Sequence, residues 1–96
     1  DAATAPFLAK DVDKFWKEEI VELVDKVAER LKGNPDTDIE EYIRSNDFPI
    51  GKVMNALRLA LTGAASGIGI HEIVSLIGVD KSLERLAFAK NRLKKN

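Results

Sequence analysis

A chain of 96 residues with a formal net charge of −1 makes one small domain, or a piece of a larger protein, with a modest core and little room for a deep catalytic cleft. A hydrophobic share of 45% against 32% charge excludes a disordered chain, and no apolar run approaches the ~20 residues of a membrane span. There is no cysteine and His71 is the only histidine, which excludes disulfides, thiolate metal sites and a multi-histidine metal site within the chain, and makes a cytoplasmic location the default.

The first residues, DAATAPFLAK, lack the basic start and apolar core of a signal peptide, and the absence of an initial Met points to an excised or processed piece. Residues 1–9, small and apolar with Pro6, read as a linker or the tail of a preceding domain, leaving 10–96 as the domain proper. Asp11 is placed to cap a short turn containing Phe15 and Trp16, with Trp16 a core anchor rather than a base-stacking residue. Lys17 to Lys32 is predicted helical. Ile20, Val21, Val24, Val27, Ala28 and Leu31 recur on one face. Glu18, Glu19 and Glu22 sit early and Arg30 and Lys32 late, as the helix dipole prefers, and Gly33 ends the helix. The acidic residues are therefore structural rather than catalytic.

Asn34-Pro35-Asp36 is a turn, and Thr37 with Glu40 fits a capping box that opens a short helix through Ile39, Tyr42, Ile43 and Arg44. Ser45-Asn46-Asp47 breaks it before Pro49. From Lys52 to Thr62 a helix puts Val53, Ala56, Leu57, Ala60 and Leu61 on one face and Gly51, Asn55, Arg58 and Thr62 in a polar stripe on another, with Met54 as core filler. A glycine-punctuated loop follows from Gly63 to Gly69. Ile70, Ile73, Val74 and Ile77 then mark a short amphipathic helix closed by Gly78 as C′ residue with Val79 as its apolar contact. Asp80 is placed to cap the last helix, with Leu83, Leu86, Ala87 and Leu93 inward and a basic end from Lys90 to Lys95. The expected core draws on residues 20–31, 53–61, 70–77 and 83–93.

Charge is unevenly distributed. Residues 1–48 carry 7 Lys/Arg against 13 Asp/Glu, and residues 49–96 carry 8 against 3. A basic half points weakly to a polyanion; on charge alone, a solvated helix face accounts for it better.

The stretch from Gly51 to Ile77 admits two readings. Thr62 to Gly69 reads TGAASGIG and resembles the T-G-x-x-x-G-x-G fingerprint of short-chain dehydrogenases, with Asp80 near the distance of the ribose-binding acid. That motif needs a strand before it, so that the glycines carry the chain into a helix N-terminus under the pyrophosphate. Val53 to Leu61 is poor in β-branched residues and contains Asn55 and Arg58 where a buried parallel strand needs apolar side chains. Only 27 residues follow Gly69, and Tyr42, the one tyrosine, precedes the loop. An NAD-binding fragment is thus the minor alternative.

In the second reading, Gly51-Lys52-Val53-Met54-Asn55-Ala56-Leu57-Arg58-Leu59-Ala60-Leu61-Thr62-Gly63 closely resembles the G-K-x-M-x-P-L-R-x-A-L-T-G signature near the C-terminus of bacterial glutamyl-tRNA synthetases. Ile70-His71-Glu72-Ile73-Val74-Ser75-Leu76-Ile77-Gly78 is similar to that family's short L-F-E-I helix and its closing glycine. Leu83-Glu84-Arg85-Leu86 is similar to its L-x-R-L core, and Phe15-Trp16-Lys17-Glu18 to an F-W-K-E run in part of it. The resemblance covers roughly residues 6–94. Ala56 stands where the signature has proline, which implies a straighter or differently entered helix. The loop reads Gly-Ile-Gly-Ile-His where many members have a T/G-P-x-L-F type run.

The resemblance implies an all-α domain of about five helices in a compact, superhelix- or cage-like arrangement. It implies the C-terminal anticodon-binding domain of a class I synthetase that joins glutamate to tRNA(Glu) using ATP and Mg²⁺. The HIGH and KMSKS motifs are absent, so no catalytic residue, cofactor or metal ligand is expected in this chain; ATP and Mg²⁺ belong to the catalytic domain of the parent. The expected partners are the tRNA(Glu) anticodon loop and that catalytic domain, with no membrane and a monomeric state. By position, the resemblance assigns anticodon contacts to Arg58, Gly67, Ile68, Gly69, Ile70 and His71.

Elementary chemistry agrees with such roles. Splayed single-stranded bases call for donors, flat or apolar faces and nearby cations. Arg58 offers a planar fork, the glycines allow close backbone approach, and the helix start near Gly69–Ile70 offers free N–H groups. His71 could stack on a base and Ile68 and Ile70 could wedge against one; Lys52, Lys90, Arg92, Lys94 and Lys95 are candidate phosphate contacts. The plainer roles are a surface arginine, a solvent-facing histidine, isoleucines that plug the core and a solvated lysine tail. The competing class of function is a helical protein–protein interaction module that uses the Gly63–Gly69 loop.

Overall fold

The computed structural model describes residues 7–93, and six helices follow one another there: α1 (Ala9–Phe15), α2 (Glu18–Gly33), α3 (Ile39–Ser45), α4 (Ile50–Thr62), α5 (Ile70–Ile77) and α6 (Val79–Arg92). No strand occurs among the described residues. Lys52 to Thr62 lies inside α4, so the strand that a dinucleotide loop requires is replaced by a helix and the dehydrogenase reading falls. The sixth helix is α1, where a single turn was expected. No helix among the described residues is long and apolar enough to cross a membrane.

Helix α4 is the axis of the fold. It packs against each of the other five helices, and Val53, Ala56, Leu57, Leu59, Ala60 and Leu61 are all buried. Leu59 falls outside the single apolar face read from the spacing, yet it is fully buried. A helix with neighbours on several sides has no single inward stripe. The polar stripe survives only where the surrounding helices leave a gap. Ala56 sits in an uninterrupted α4 and is fully buried.

Around α4, the helix α2 buries Ile20, Val24, Val27 and Leu31, with Val21 and Ala28 at the margin. Trp16 is 5% exposed and belongs to the same core, as do Phe7, Val12, Ile39 and Ile43. Of the residues read as a linker, 1–6 lie outside the described residues. Phe7 is buried, the Leu8 N–H donates to the Gly63 carbonyl at 2.8 Å, and Ala9 opens α1.

Four local expectations are corrected. Asp11 does not cap a turn: it lies within the first turn of α1, whose N-cap is Leu8. The N-cap of α3 lies one residue beyond Thr37, since Asp38 takes it and its Oδ1 accepts from the Glu41 N–H at 3.1 Å, while the Glu41 carboxylate accepts from the Ser45 hydroxyl rather than closing a capping box. The Thr37 hydroxyl is spent on the preceding turn, donating to the Asn34 carbonyl at 2.7 Å, and Glu40 pairs with Arg44 at 2.7 Å. Aspartate caps as well as threonine, so the free carboxylate takes the position. Asp80 is likewise inside α6, whose N-cap is Gly78. Gly78 also closes α5, so α5 and α6 share one residue as joint. Finally, Ala87 is exposed; Ala89 and Ser82 occupy the inward positions instead, with the Ser82 hydroxyl donating to the Gly78 carbonyl at 2.7 Å.

The end of α3 is a Schellman turn. The Phe48 N–H reaches the Ile43 carbonyl and the Asp47 N–H the Arg44 carbonyl, both at 3.1 Å, with Asp47 left-handed at φ 57. This turn aims the chain through Pro49 into α4 and leaves the start of α3 beside the middle of α4.

Candidate nucleic-acid interface

The polar stripe of α4 becomes a site because its members bond to one another. Asn55 and Arg58 are three residues apart, one turn of helix. The Arg58 Nη1 donates to the Asn55 Oδ1 at 2.9 Å and makes a longer contact of 3.5 Å to the Ala65 carbonyl. The Arg58 Nε–H is enclosed and has no partner among the described residues. A buried donor left unpaired costs about 1–3 kcal/mol. The Thr62 hydroxyl donates to the Arg58 carbonyl at 2.8 Å and lies 3.0 Å from the Ala64 carbonyl, so it anchors the last turn of α4 against the loop that follows.

That loop begins where Gly63 turns left-handed at φ 92 and its N–H closes on the Leu59 carbonyl. Ala65 is buried, and its N–H donates to the Asp11 Oδ2 of α1 at 2.9 Å. Gly67 has φ +120, a conformation L side chains rarely adopt. Gly69 is the N-cap of α5 and provides no side-chain acceptor, so the first-turn N–H groups of α5 have no side-chain cap among the described residues.

Arg58 and Met54 line one part of an open groove with a volume of about 430 Å³. The start of α3 forms one wall through Thr37, Asp38, Ile39 and Glu40. The start of α5 forms the other through Gly69, Ile70, His71 and Val74. The groove therefore combines a guanidinium, the N-terminal end of α5, apolar surface and a wall bearing carboxylates. Such a mixture matches the edges and faces of a base better than a lone phosphate.

The structure thus brings Arg58, Gly69, Ile70 and His71 to one groove. His71 is exposed there. Ile70 is 2% exposed, so its side chain is a core plug and only its backbone is available; the wedge role for that side chain is corrected. Gly67 and Ile68 lie on the exposed crest of the loop, and Ile68 is 41% exposed. The proposed phosphate contacts are scattered. Lys52 lines a different groove beside Lys14 and Lys17. Lys90 pairs with Asp25 at 2.8 Å, between α6 and α2. Arg92 is exposed in the last turn of α6. Lys94 and Lys95 lie outside the described residues. Two contributors escape a reading of the sequence: Asp11, which meets Ala65 across 54 positions, and the α3 wall. No local spacing signals either. The Asn55–Arg58 bond is different, since an i,i+3 amide–guanidinium pair is a legible helix contact.

The fold and groove define an all-α domain whose open groove is lined by an arginine of α4, the glycine N-cap of α5 and the first turns of α3 and α5. The chain belongs to the anticodon binding domain family, whose model matches residues 2–90. It is 35% identical over 99 residues to a glutamate–tRNA ligase of Christiangramia forsetii, covering 96% of this chain and 20% of that protein. Against the glutamate–tRNA ligase of Flavobacterium johnsoniae it is 30% identical over 87 residues, covering 83% of this chain and 17% of the relative. Against that of Parabacteroides distasonis it is 33% identical over 88 residues, covering 84% and 17%. The chain spans a fifth or less of the length of these relatives. No solved structure matches it.

Proposed function

We propose that the chain recognises the anticodon loop of tRNA(Glu) as one domain of a glutamate–tRNA ligase. The observation that carries this reading is Arg58, held in the groove between α3 and α5, with an enclosed Nε–H that has no partner among the described residues. Asn55 and Ala65 engage only Nη1, so the held fork keeps terminal N–H donors on Nη2 for an acceptor on a base edge. The α5 start supplies further donors, and His71 and Ile68 supply stacking and apolar surface. The domain contributes specificity and position. Activation of glutamate with ATP and Mg²⁺, and its transfer to tRNA, belong to the catalytic domain of the same parent chain. The assembly works in the cytoplasm as a monomer.

The test is binding of this chain to an RNA stem–loop carrying the tRNA(Glu) anticodon loop, beside loops substituted at each anticodon position. We expect weak binding, since any contacts to the acceptor arm lie outside this chain, with preference for the cognate loop and weakening as salt rises. Equal binding of all loops rejects the proposal. A protein-interaction module would show neither the preference nor the salt dependence.

A further inference from the structure

We infer that Asp11 is a positioning residue for base reading: it fixes Ala65, and through Ala65 the guanidinium of Arg58. This rests on the reading of Arg58 as the residue that meets a base.

An arginine that reads a base edge must hold its fork still, and its long side chain has much rotamer entropy to lose. Groups that hold it before the RNA arrives reduce the ordering cost of binding. Asn55 does this from within α4, with its Oδ1 at 2.9 Å from Nη1. Asn55 cannot set where the loop runs, because it belongs to the same helix as Arg58. Ala65 is the loop residue that meets the guanidinium, its carbonyl 3.5 Å from Nη1. The N–H of the same residue donates to the Asp11 Oδ2 at 2.9 Å. Both backbone groups of one buried residue are therefore used, one by the arginine and one by a carboxylate on α1. A bond to an ionised acceptor is stronger than one between neutral groups. A second tie runs alongside it, from the Leu8 N–H to the Gly63 carbonyl at 2.8 Å. The start of α1 thus grips the loop at two points, and only the Asp11 tie continues to Arg58.

The carboxylate is half-buried and lies on a different helix from the groove. It touches no ligand in this arrangement; its effect passes through the loop. Removing it should loosen the loop and let the guanidinium sample other rotamers. The loss should appear as reduced discrimination between bases, rather than as a uniform loss of affinity.

The experiment compares the 96-residue chain with its Asp11→Ala and Asp11→Asn variants. Asn retains an oxygen that can accept from the Ala65 N–H; Ala has none. Without RNA, nitrogen-15 NMR reads the Arg58 Nε–H signal and the hydrogen exchange of the Ala65 amide, with thermal denaturation reporting global stability. With RNA, the same stem–loop set reads discrimination. We expect D11A to shift the Arg58 signal and speed Ala65 exchange beyond any change in global stability. It should also lower discrimination about two- to tenfold, the span of one ordinary hydrogen bond, and D11N should restore most of it. Where D11A does not fold, Asp11→Ser, whose shorter hydroxyl falls short of Ala65, takes its place with the same expectations. An unmoved Arg58 signal, an equal loss for every loop, or no rescue by D11N overturns the inference. A wild-type chain that binds all loops alike instead rejects the anticodon reading, and the NMR arm still decides whether Asp11 positions Arg58.

Discussion

Arg58 is held through one terminal nitrogen while its Nε is enclosed without a partner among the described residues. Removing the side chain therefore does two opposite things to the free domain. It deletes the bond to Asn55, and it relieves an unpaired donor. Arg58→Ala should change folding stability little, and should weaken the cognate loop by about 1–3 kcal/mol, the worth of a good base contact. The loss should depend on which base is present; equal loss for all substituted loops would reduce Arg58 to a phosphate contact. Arg58→Lys keeps the charge without the planar fork and should lose most of the discrimination. Ile70 behaves the other way. At 2% exposure its side chain belongs to the core, so Ile70→Ala should lower stability by about 2–5 kcal/mol in denaturant unfolding. Its effect on RNA binding should vanish wherever the protein remains folded. The sequence distinguishes these two residues poorly. Positional resemblance marks both as loop or groove residues, whereas burial separates a side chain that can meet a ligand from one that cannot.

At the scale of elements, hydrophobic periodicity locates α2 and α4 well because each repeats its apolar spacing over several turns. Their ends are less legible. Thr37 and Asp38 are adjacent and both can cap, and the choice depends on a hydroxyl already bonded to Asn34. Asp80 and Gly78 compete in the same way, and the glycine prevails because the chain must turn from α5 into α6 within a single residue. That residue has φ 86 and ψ 161, a region open essentially to glycine alone. A Cβ built there meets no atom within 4 Å. The cost of Gly78→Ala is therefore backbone strain alone, about 1–3 kcal/mol, read as a shift in the unfolding midpoint. A variant as stable as the parent would mean that α5 and α6 can be joined by another turn. Because α5 carries His71 and one wall of the groove, the same variant should also weaken loop binding.

At the scale of the whole molecule, the division of charge along the chain does not become a division in space. Lys90 from the basic half pairs with Asp25 from the acidic half, and the acid-rich start of α3 forms a wall of the groove that holds Arg58. Lys52 opens onto a separate groove with Lys14 and Lys17. A count of Lys and Arg by position misses this, since the pairing depends on how α2, α3 and α6 gather round α4. The consequence is measurable. If all five candidate cations neutralised phosphates of a single-stranded loop, the logarithm of the binding constant would fall against the logarithm of salt with a slope of about −3.5. With Lys52 and Lys90 directed elsewhere, the slope should not exceed about −2 in magnitude, and Lys52→Ala or Lys90→Ala should leave it unchanged. At the groove, Asp38 caps α3 through Oδ1 and Glu40 pairs with Arg44 through Oε2; the second oxygen of each disfavours a phosphate but can accept from the amino groups of a base. Selectivity should therefore persist at salt concentrations that remove most of the affinity. A slope near −3.5, or discrimination that disappears together with affinity, would mean that the RNA backbone rather than a base occupies the groove.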